Sequence, residues 1–572
     1  MDTSSVIASA TGGLVSLLSP IVLMITGMVV LMLGVGRASA GRTGLVTRVA
    51  LFGAFVAAAV AAGLSLGAGT LPTSTLNEAM LAFGGGMIND SLGAVFNIVL
   101  AVSAFLAILM SDRYLEERRL PAGEFYALML FSASGGMVMA QAFDLINIFV
   151  GLEVLSVALY ILAGFTRRDL RSEEAAVKYF LLGAFTSAFL LFGSALIYGA
   201  VGITMKANNI ALDAVTPSYT NLSVITSALS ATKGMAAPLA ENPLFITGSI
   251  LVIVGLCFKA SIVPFHSYAP DVYEGAPVPV TAFLSAGAKA GAFAAFLRFF
   301  LVLLDGGQNQ GPYRTLLWGL AAATILIGNV FAVRQTSIKR MLAYSSIAHA
   351  GYLLVGLLAM APAGGTMIND DIWRLGQSSV GFYLLVYTFM NLGAFAILAW
   401  LGWRDGREYA QVSDLAGLAK RQPLAAGMMA VFLFSLAGIP PMAGFFGKLY
   451  LFLAALNAGY TGLAVFGLVV SVIGAIYYLN VIVSMFFRDG DTGYFPARAG
   501  GGAWWAAVIA AVATLLLGLI PIPNVTPKLS GVTTTRRASE AVAPDAAGNS
   551  ERGVADGATD AVPSGRVGNS AE

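Results

Sequence analysis

The segment Gly255–His266, GLCFKASIVPFH, carries a lysine and a proline inside one long apolar stretch. A second stretch, Ser435–Lys448 (SLAGIPPMAGFFGK), carries two prolines ahead of its lysine. An interior proline removes a backbone hydrogen bond and clashes with the preceding turn, so broken helices are predicted at Pro264 and at Pro440 and Pro441. In a membrane the carbonyls freed by such a break need water or polar side chains, which favours a hydrated cavity beside each break.

The composition excludes a soluble protein. Of 572 residues 58% are hydrophobic and only 11% are charged, with a mean hydropathy of +0.81. A soluble domain carries roughly a quarter charged residues to cover its surface. The net charge of +2 comes without a basic tract suited to nucleic acid.

Few residues could hold a redox centre or a metal. One cysteine, Cys257, cannot form an internal disulfide or hold an iron–sulfur cluster, which needs about four cysteines. The two histidines, His266 and His349, do not make a haem or zinc site. The chain is therefore expected to hold no metal or redox cofactor, and any redox chemistry is expected in other subunits.

Apolar stretches of about twenty residues predict about fourteen transmembrane helices. The predicted spans are 14–36, 46–69, 91–111, 123–142, 143–165, 175–202, 244–268, 279–304, 314–333, 338–360, 378–403, 423–456, 461–487 and 501–521. Arginine and lysine favour one set of alternate loops by roughly four to one, which predicts that both termini face outward. The tail 523–572 lacks periodicity and is expected to be disordered.

Five ionisable residues lie well inside the predicted spans: Glu153, Lys178, Lys259, Lys289 and Lys448. A charge at the bilayer centre costs about 3 kcal/mol or more, so each needs a partner, a water-filled cavity or a function. Lys178 follows Glu173 and Glu174 closely. An ion pair or a side chain that reaches the membrane surface therefore explains Lys178 as well as a function does.

Buried lysines are suited to proton transfer. Low dielectric disfavours the charged amine, which can then exchange protons near neutral pH, whereas arginine stays protonated. A nearby carboxylate stabilises the ammonium, so a movement of Glu153 relative to a lysine would switch that lysine between holding and releasing a proton. His349 could join a water chain, or it could be a hydrogen-bonded structural histidine.

The two predicted breaks lie five helices apart, in the seventh and twelfth spans. Because five is odd, the two broken helices point in opposite directions, which indicates inverted repeats of spans 4–8 and 9–13. Lys178–Phe192 and Gly381–Phe395 show a faint likeness with the same offset. The predicted domains are an N-terminal three-helix segment 1–122, repeats 123–304 and 314–487, a last transmembrane helix 501–521 and the tail 523–572.

Several segments resemble the antiporter-like subunit N family of the proton-pumping NADH–quinone oxidoreductase, respiratory complex I. They are Asp144–Phe165, Glu173–Phe185, Phe258–Ala294, Ala343–Gly356 and Ala437–Phe452. The part PDVYEGAPVPVTAFLS, Pro270–Ser285, is the most specific, because the sister L and M subunits and multi-subunit sodium/proton antiporters differ there. L and M also carry a lysine in the eleventh helix, where this chain has Asn391 nearby. Ser267–Tyr268 and Val278 depart from the motif and leave the charged residues intact.

The resemblance implies an antiporter-like fold with discontinuous seventh and twelfth helices. It matches Glu153 to the glutamate of the fifth helix, and Lys178, Lys259, Lys289 and Lys448 to the lysines of the sixth, seventh, eighth and twelfth helices. It also implies a bacterial-type cytoplasmic membrane and partner membrane subunits, including sister antiporter-like subunits. Flavin, iron–sulfur centres and quinone are expected in the partners.

The leading hypothesis is proton translocation through this Glu/Lys chain, driven by quinone reduction elsewhere in the complex. One alternative is a subunit of a multi-subunit cation/proton antiporter, which would exchange sodium without NADH. Another is an assembly scaffold whose buried charges have no channel of their own.

Overall fold

The fold consists of long apolar helices. A computed structural model describes residues 17–35, 43–67, 81–489 and 501–519, apart from gaps at 83–84, 168, 211–217, 234, 236–237, 306–309, 362, 364–369, 405–406 and 409. The predicted tail 523–572 lies outside the described residues.

The elements follow one another as helices joined by short loops and two small hairpins. The helices are α1 (Leu18–Gly34), α2 (Thr43–Gly67), α3 (Ser91–Glu117), α4 (Ala122–Gln141), α5 (Leu145–Ala163), α6 (Leu170–Ala207), α7 (Leu222–Ala231), α8 (Pro243–Ala260), α9 (Tyr268–Gly275), α10 (Val278–Phe283), α11 (Lys289–Asp305), α12 (Gln310–Val333), α13 (Ile338–Leu358), α14 (Asp370–Leu401), α15 (Leu418–Arg421), α16 (Pro423–Ala437), α17 (Ala443–Asn457), α18 (Thr461–Phe487) and α19 (Gly502–Leu519). A π-helical turn, Leu284–Ala288, joins α10 to α11, and 3-10 turns cover Leu239–Glu241 and Val412–Leu415. The antiparallel hairpins pair β1 (Leu81–Ala82) with β2 (Met87–Ile88), and β3 (Trp403–Arg404) with β4 (Arg407–Glu408).

The prediction of an all-helical polytopic membrane protein is confirmed. Within the described residues, 11 helices are long and apolar enough to cross a membrane, and each coincides with a predicted span. The first, fourth and twelfth predicted spans correspond to α1, to α4 and to the pair α16 and α17. Helix α1 has 17 residues and α16 and α17 have 15 each, shorter than a full crossing needs. The total of fourteen therefore stays a prediction.

Polar side chains determine where several of these helices begin. Asp90, Asp144, Asp169, Asn242 and Ser337 precede α3, α5, α6, α8 and α13, and each accepts a hydrogen bond from a backbone N–H of the first turn. The first amides of a helix have no partner within it, and lipid offers none. These caps therefore fix the boundaries of the helices at the edges of the apolar core.

The helices differ sharply in how much of their surface is covered. The most apolar window of Val278–Leu304 is 100% buried, whereas that of α6 is 39% buried and that of α18 is 44% buried. Helices α6 and α18 expose large apolar side chains such as Phe185 and Val472. In a membrane protein such faces contact lipid or a neighbouring subunit, and α10 and α11 form the centre of the bundle.

A buried ion pair fastens the N-terminal helices to this centre. Arg298 of α11 donates two hydrogen bonds to the carboxylate of Asp90, of 2.8 and 3.0 Å, and a third of 2.7 Å to the carbonyl of Ala140. Both charged side chains are almost fully buried. This two-pronged contact joins α3, the end of α4 and α11 at one point.

Replacing Asp90 with asparagine is expected to destabilise the protein strongly, because Arg298 would keep its charge without a carboxylate. Removing one partner of a buried ion pair costs about 3–5 kcal/mol. The measurement is the thermal unfolding midpoint of the purified protein. Asp489→Asn, which breaks the exposed Lys420–Asp489 pair, is the matched control and should leave the midpoint unchanged. Equal midpoints for the two variants would contradict the role assigned to the buried pair.

Candidate functional site

The first helix break holds Lys259 at the end of α8. Helix α8 ends at Ala260 and is followed by Ser261 in the left-handed region (φ 58°). Lys259 Nζ donates to Ser156 Oγ of α5 at 2.7 Å and to Tyr179 OH of α6 at 3.0 Å. The rings of Tyr160 and Tyr179 also lie 5.7 and 5.1 Å from the amine. The amine is therefore enclosed by hydroxyl groups and aromatic faces.

Glu153 lies one turn before Ser156 on α5. Its carboxylate interacts electrostatically with Lys259, while the hydrogen bonds of that amine go to Ser156 and Tyr179. Glu153 Oε1 is buried without a hydrogen-bond partner among the described residues. The structure thus places Glu153 one helical turn from Ser156, the residue whose hydroxyl binds the amine of Lys259.

Lys289 occupies the first position of α11, directly after the π-helical turn. Its Nζ donates to the carbonyl and, at 2.6 Å, to the Oγ of Ser346 on α13. The turn itself is fixed by Asn391 of α14, whose Nδ2 donates to Ser285 Oγ at 2.5 Å. π-Helical turns are rare in proteins as a whole, but those that occur are often found at functional sites. Such a turn changes the direction of the side chains that follow it.

At the second break, Lys448 donates hydrogen bonds to carbonyls that have no backbone donor within the helix. A continuous helix would pair the carbonyls of Leu436 and Ala437 with the amides of residues 440 and 441, but both are prolines. Lys448 Nζ donates to these two carbonyls at 2.9 and 3.0 Å, and to Ser471 Oγ of α18 at 3.1 Å. The amine of Lys448 therefore replaces the missing amide hydrogens.

His349 lies between the sites of Lys289 and Lys448. Its Nδ1 is 2.6 Å from Tyr383 OH and its Nε2 is 3.3 Å from Tyr478 OH. The histidine interacts electrostatically with both lysines. On α13 it is one turn from Ser346, the partner of Lys289. In the other direction it is one turn from Tyr352, whose ring lies 5.1 Å from Lys448 Nζ.

Lys178 is placed apart from these buried amines. Lys259, Lys289 and Lys448 are at most 7% exposed, whereas the side chain of Lys178 is 40% exposed. Lys178 Nζ forms ion pairs with Glu174 at 2.6 Å and with Asp271 of α9 at 2.7 Å. The ion-paired interpretation of Lys178 is the one that this geometry supports.

A second group of charges surrounds Glu408, which lies on the hairpin after α14. It is at the same end of the bundle as the ion pairs of Lys178, because Lys339 and Arg340 are adjacent on α13. Glu408 accepts hydrogen bonds from Lys339 (2.9 Å), Arg118 (2.9 Å) and Tyr114 (3.1 Å). Lys339 also donates to the carbonyl of Ala276 at 2.8 Å. Burial alone would raise the pKa of Glu408, but the charges of Lys339 and Arg118 outweigh it and hold that pKa below its ordinary value.

Sequence reasoning missed Arg298 and the hydrogen-bond partners of the lysines. Arg298 lies near the end of its predicted span, where a long basic side chain can reach the surface. The hydroxyls of Ser156, Tyr179 and Ser346 resemble many others in the chain. For Lys448 the sequence did contain a signal: Pro440 and Pro441 leave two carbonyls of the preceding turn without a backbone donor, so a side-chain donor was needed there.

Broken helices with buried ionisable side chains, enclosed in a helix bundle, define a polytopic membrane protein with the architecture of secondary transporters. The transmembrane family described as NADH:quinone oxidoreductase/Mrp antiporter matches residues 142–474, more than half of the chain. NADH-quinone oxidoreductase subunit N from Trichlorobacter lovleyi is 43% identical over 456 residues, which are 80% of this chain and 86% of that protein. The chain belongs to the NADH:quinone oxidoreductase/Mrp antiporter family, in its subunit N branch.

Solved structures agree with this assignment. A chain of respiratory complex I from Thermus thermophilus superposes with a TM-score of 0.68 at 34% identity, covering 90% of this chain and 99% of that one. A chain of the Mrp complex from Dietzia sp. DQ12-45-1b superposes with a TM-score of 0.73 at 23% identity, covering 93% and 97%. The second likeness shows a shared fold.

Gly438→Ala is expected to destabilise the second break. Gly438 has a φ of 87°, a conformation that costs a residue with a side chain about 1–2 kcal/mol. An added Cβ would also lie 3.1 Å from Lys448 Cδ and 3.3 Å from Lys448 Nζ. Gly427 lies inside α16, and a Cβ added there would have open space around it. Gly427→Ala should therefore stabilise the protein slightly. Thermal unfolding of both variants checks the opposite signs, and equal shifts would contradict the argument.

Glu408→Gln is expected to lower stability by about 3 kcal/mol at neutral pH, because it leaves Lys339 and Arg118 without their carboxylate. Since the pKa of Glu408 is lowered in the folded state, its stabilisation is complete above the ordinary glutamate value of about 4.3 and is lost as pH falls through the lowered value. Unfolding midpoints measured from pH 8 down to pH 4 check this.

The difference between wild type and Glu408→Gln should stay constant down to about pH 5 and shrink only below it. Glu117→Gln, which breaks an exposed pair with Arg113, is the control and should show a small effect at every pH. A difference that grows on acidification would refute the assigned network.

Proposed function

We propose that the chain translocates protons across the membrane as subunit N of an NADH–quinone oxidoreductase, driven by quinone reduction in other subunits. The observation that supports this most is the row Ser346, His349 and Tyr352 on α13. These side chains have the spacing of successive helical turns: Ser346 binds the amine of Lys289, the His349 ring is hydrogen-bonded to Tyr383, and the Tyr352 ring lies 5.1 Å from Lys448 Nζ. Groups that both donate and accept hydrogen bonds can relay a proton when water joins them.

In the proposed sequence Glu153 controls Lys259. When the carboxylate approaches, the ammonium is stabilised; when it withdraws, Lys259 releases its proton toward Lys289 through hydroxyls and water. The proton then passes along the row on α13 to Lys448. Lys178, which forms ion pairs with Glu174 and Asp271, is assigned a place outside this path, near the surface of the bundle.

The assembly and the orientation belong to the same proposal. The partners are other membrane subunits of the complex, including sister antiporter-like subunits. Flavin, iron–sulfur centres and quinone would reside in those partners, so the chain is a non-redox part of the enzyme. The membrane is of the bacterial cytoplasmic type, with both termini on the outer face, as the distribution of basic loop residues predicts.

The domain organisation into repeats 123–304 and 314–487 is proposed on the basis of the two breaks. Ile262 N donates to Cys257 O at 2.8 Å after the left-handed Ser261, and Ile439 N donates to Phe434 O at 3.0 Å after the left-handed Gly438. The same helix-ending motif thus occurs at both breaks, followed by a proline at the same offset.

Two other functions share this machinery. A subunit of a multi-subunit cation/proton antiporter is supported by the family description, which also names the Mrp antiporter, and by the fold of the Mrp neighbour, at 23% identity. The 43% identity to a subunit N favours the oxidoreductase. An assembly scaffold has no observation in its favour, since relic charges would not need the polar side chains that α13 places between the two buried amines.

Lys259→Ala and Lys289→Ala are each expected to reduce proton pumping by roughly tenfold or more, because removal of a positioned proton-transfer group costs about 100-fold in general acid–base steps. The measurement is NADH-driven acidification of inverted membrane vesicles that contain the assembled complex. Lys206→Ala, at an exposed lysine near the end of α6, is the control and should pump normally.

Three outcomes separate the hypotheses. Full pumping by the Lys259 and Lys289 variants would refute the proposal. Normal assembly with lost pumping would exclude a scaffold. Sodium exchange without NADH would favour the antiporter.

A further inference from the structure

The short helix α9 touches the Lys259 site at its first residue. Tyr268 stacks on Phe258 and on Tyr179, with ring centroids 4.2 and 5.4 Å apart. Its hydroxyl donates to the carbonyl of Phe258 at 3.0 Å and is 2.9 Å from Ser261 Oγ. Tyr179 accepts a hydrogen bond from Lys259. Because Tyr268 stacks on Tyr179, the position of Tyr268 affects the position of this hydrogen-bond partner.

The same helix touches the Lys289 site at its sixth residue. The hydroxyl of Tyr273 lies 3.4 Å from Ser346 Oγ, and Ser346 is the group that binds the amine of Lys289. Both tyrosines are nearly fully buried. Helix α9 has eight residues, about two turns, and joins the two lysine sites as one short rigid element.

Asp271 fastens this helix to the two helices on either side. Its carboxylate binds Lys178 of α6 at 2.7 Å and Arg340 of α13 at 2.9 Å. Helix α6 carries Tyr179, and α13 carries Ser346, so one carboxylate connects the supports of both buried amines. Burial alone would raise the pKa of Asp271, but its hydrogen bonds and ion pairs with Lys178 and Arg340 outweigh it, and the pKa lies below its ordinary value.

Further contacts hold the C-terminal end of α9, whereas Asp271 holds its N-terminal half. Glu274 binds Ser337, the residue that caps α13, and the carbonyl of Ala276 accepts from Lys339. A Cβ on Gly275 would come within 2.7 Å of the Cβ of Ala175 on α6. The helix is thus wedged between α6 and α13, and both cations bound by Asp271 come from these neighbours.

We infer that Asp271 is a positioning residue that couples the Lys259 and Lys289 sites, by tying α9 to α6 and α13 so that Tyr268 and Tyr273 hold both amines in one arrangement. This inference rests on the proposed function. A half-exposed ion pair adds little to overall stability, so Asp271 acts by placing the helix and not by holding the fold together.

The test is Asp271→Asn in the assembled complex, which removes the charge and keeps the shape. Protons pumped per NADH oxidised should fall about fivefold or more, the lower end of coupling between sites. The amount of assembled complex and its electron transfer to an artificial acceptor should stay unchanged. Asp271→Glu should restore pumping, because a carboxylate returns to the same two cations.

A double variant adds a readout that a purely structural role would not give. If the ion pair is the cause, Asp271→Asn combined with Arg340→Gln should pump no worse than the more impaired single variant, because both remove the same link. Asp489→Asn, in an exposed pair on another helix end, is the matched control and should pump normally.

The inference is overturned if Asp271→Asn pumps normally while Lys289→Ala does not, a result that leaves the proposed function intact. It is also overturned if Asp271→Glu fails to restore pumping or if the double variant is additive. Should Asp271→Asn lower the amount of complex, Tyr273→Phe replaces it, since this variant removes a single hydroxyl. Normal pumping by Tyr273→Phe would then overturn the coupling.

Discussion

A carbonyl freed inside a membrane must find a hydrogen-bond donor, and this constraint determines the shape of the second broken helix. Pro440 and Pro441 remove two amide hydrogens, and the amine of Lys448 replaces them on Leu436 and Ala437. The lysine needs polar partners as much as the carbonyls need a donor, because a buried amine is costly alone. The break and the lysine therefore stabilise each other, and neither would be tolerated by itself.

The first break uses a different set of partners, and the difference is chemical. Lys259 binds two hydroxyls, of Ser156 and Tyr179, whereas Lys448 binds two carbonyls and the hydroxyl of Ser471. A hydroxyl can donate or accept, so it suits an amine as well as an ammonium, but a carbonyl only accepts. The partners of Lys259 are therefore groups that can change between donor and acceptor, and this suits a residue that Glu153 is proposed to control.

The apolar stretches and the prolines predicted most of the fold. Helix α18 has the bounds predicted for the thirteenth span, 461–487, and both breaks lie where proline placed them. The Asp90–Arg298 pair joins residues 208 positions apart, so it depends on tertiary packing that no local pattern reveals. The lysines themselves were predictable as costly buried charges, but their hydroxyl partners were not, because serine and tyrosine occur throughout the membrane helices.

Helix α13 brings these features together. Its interior carries Ser346, His349 and Tyr352, and its first turn carries Lys339 and Arg340, which bind Glu408 and Asp271. Its most apolar window is 94% buried, and a close-packed helix transmits displacement instead of absorbing it. A change in the charges around the first turn therefore has a direct mechanical route to the amines further inside. The charges at its first turn and the side chains that contact Lys289 and Lys448 are thus parts of one helix, and the proposed proton transfer would be driven by a movement of that helix as a whole.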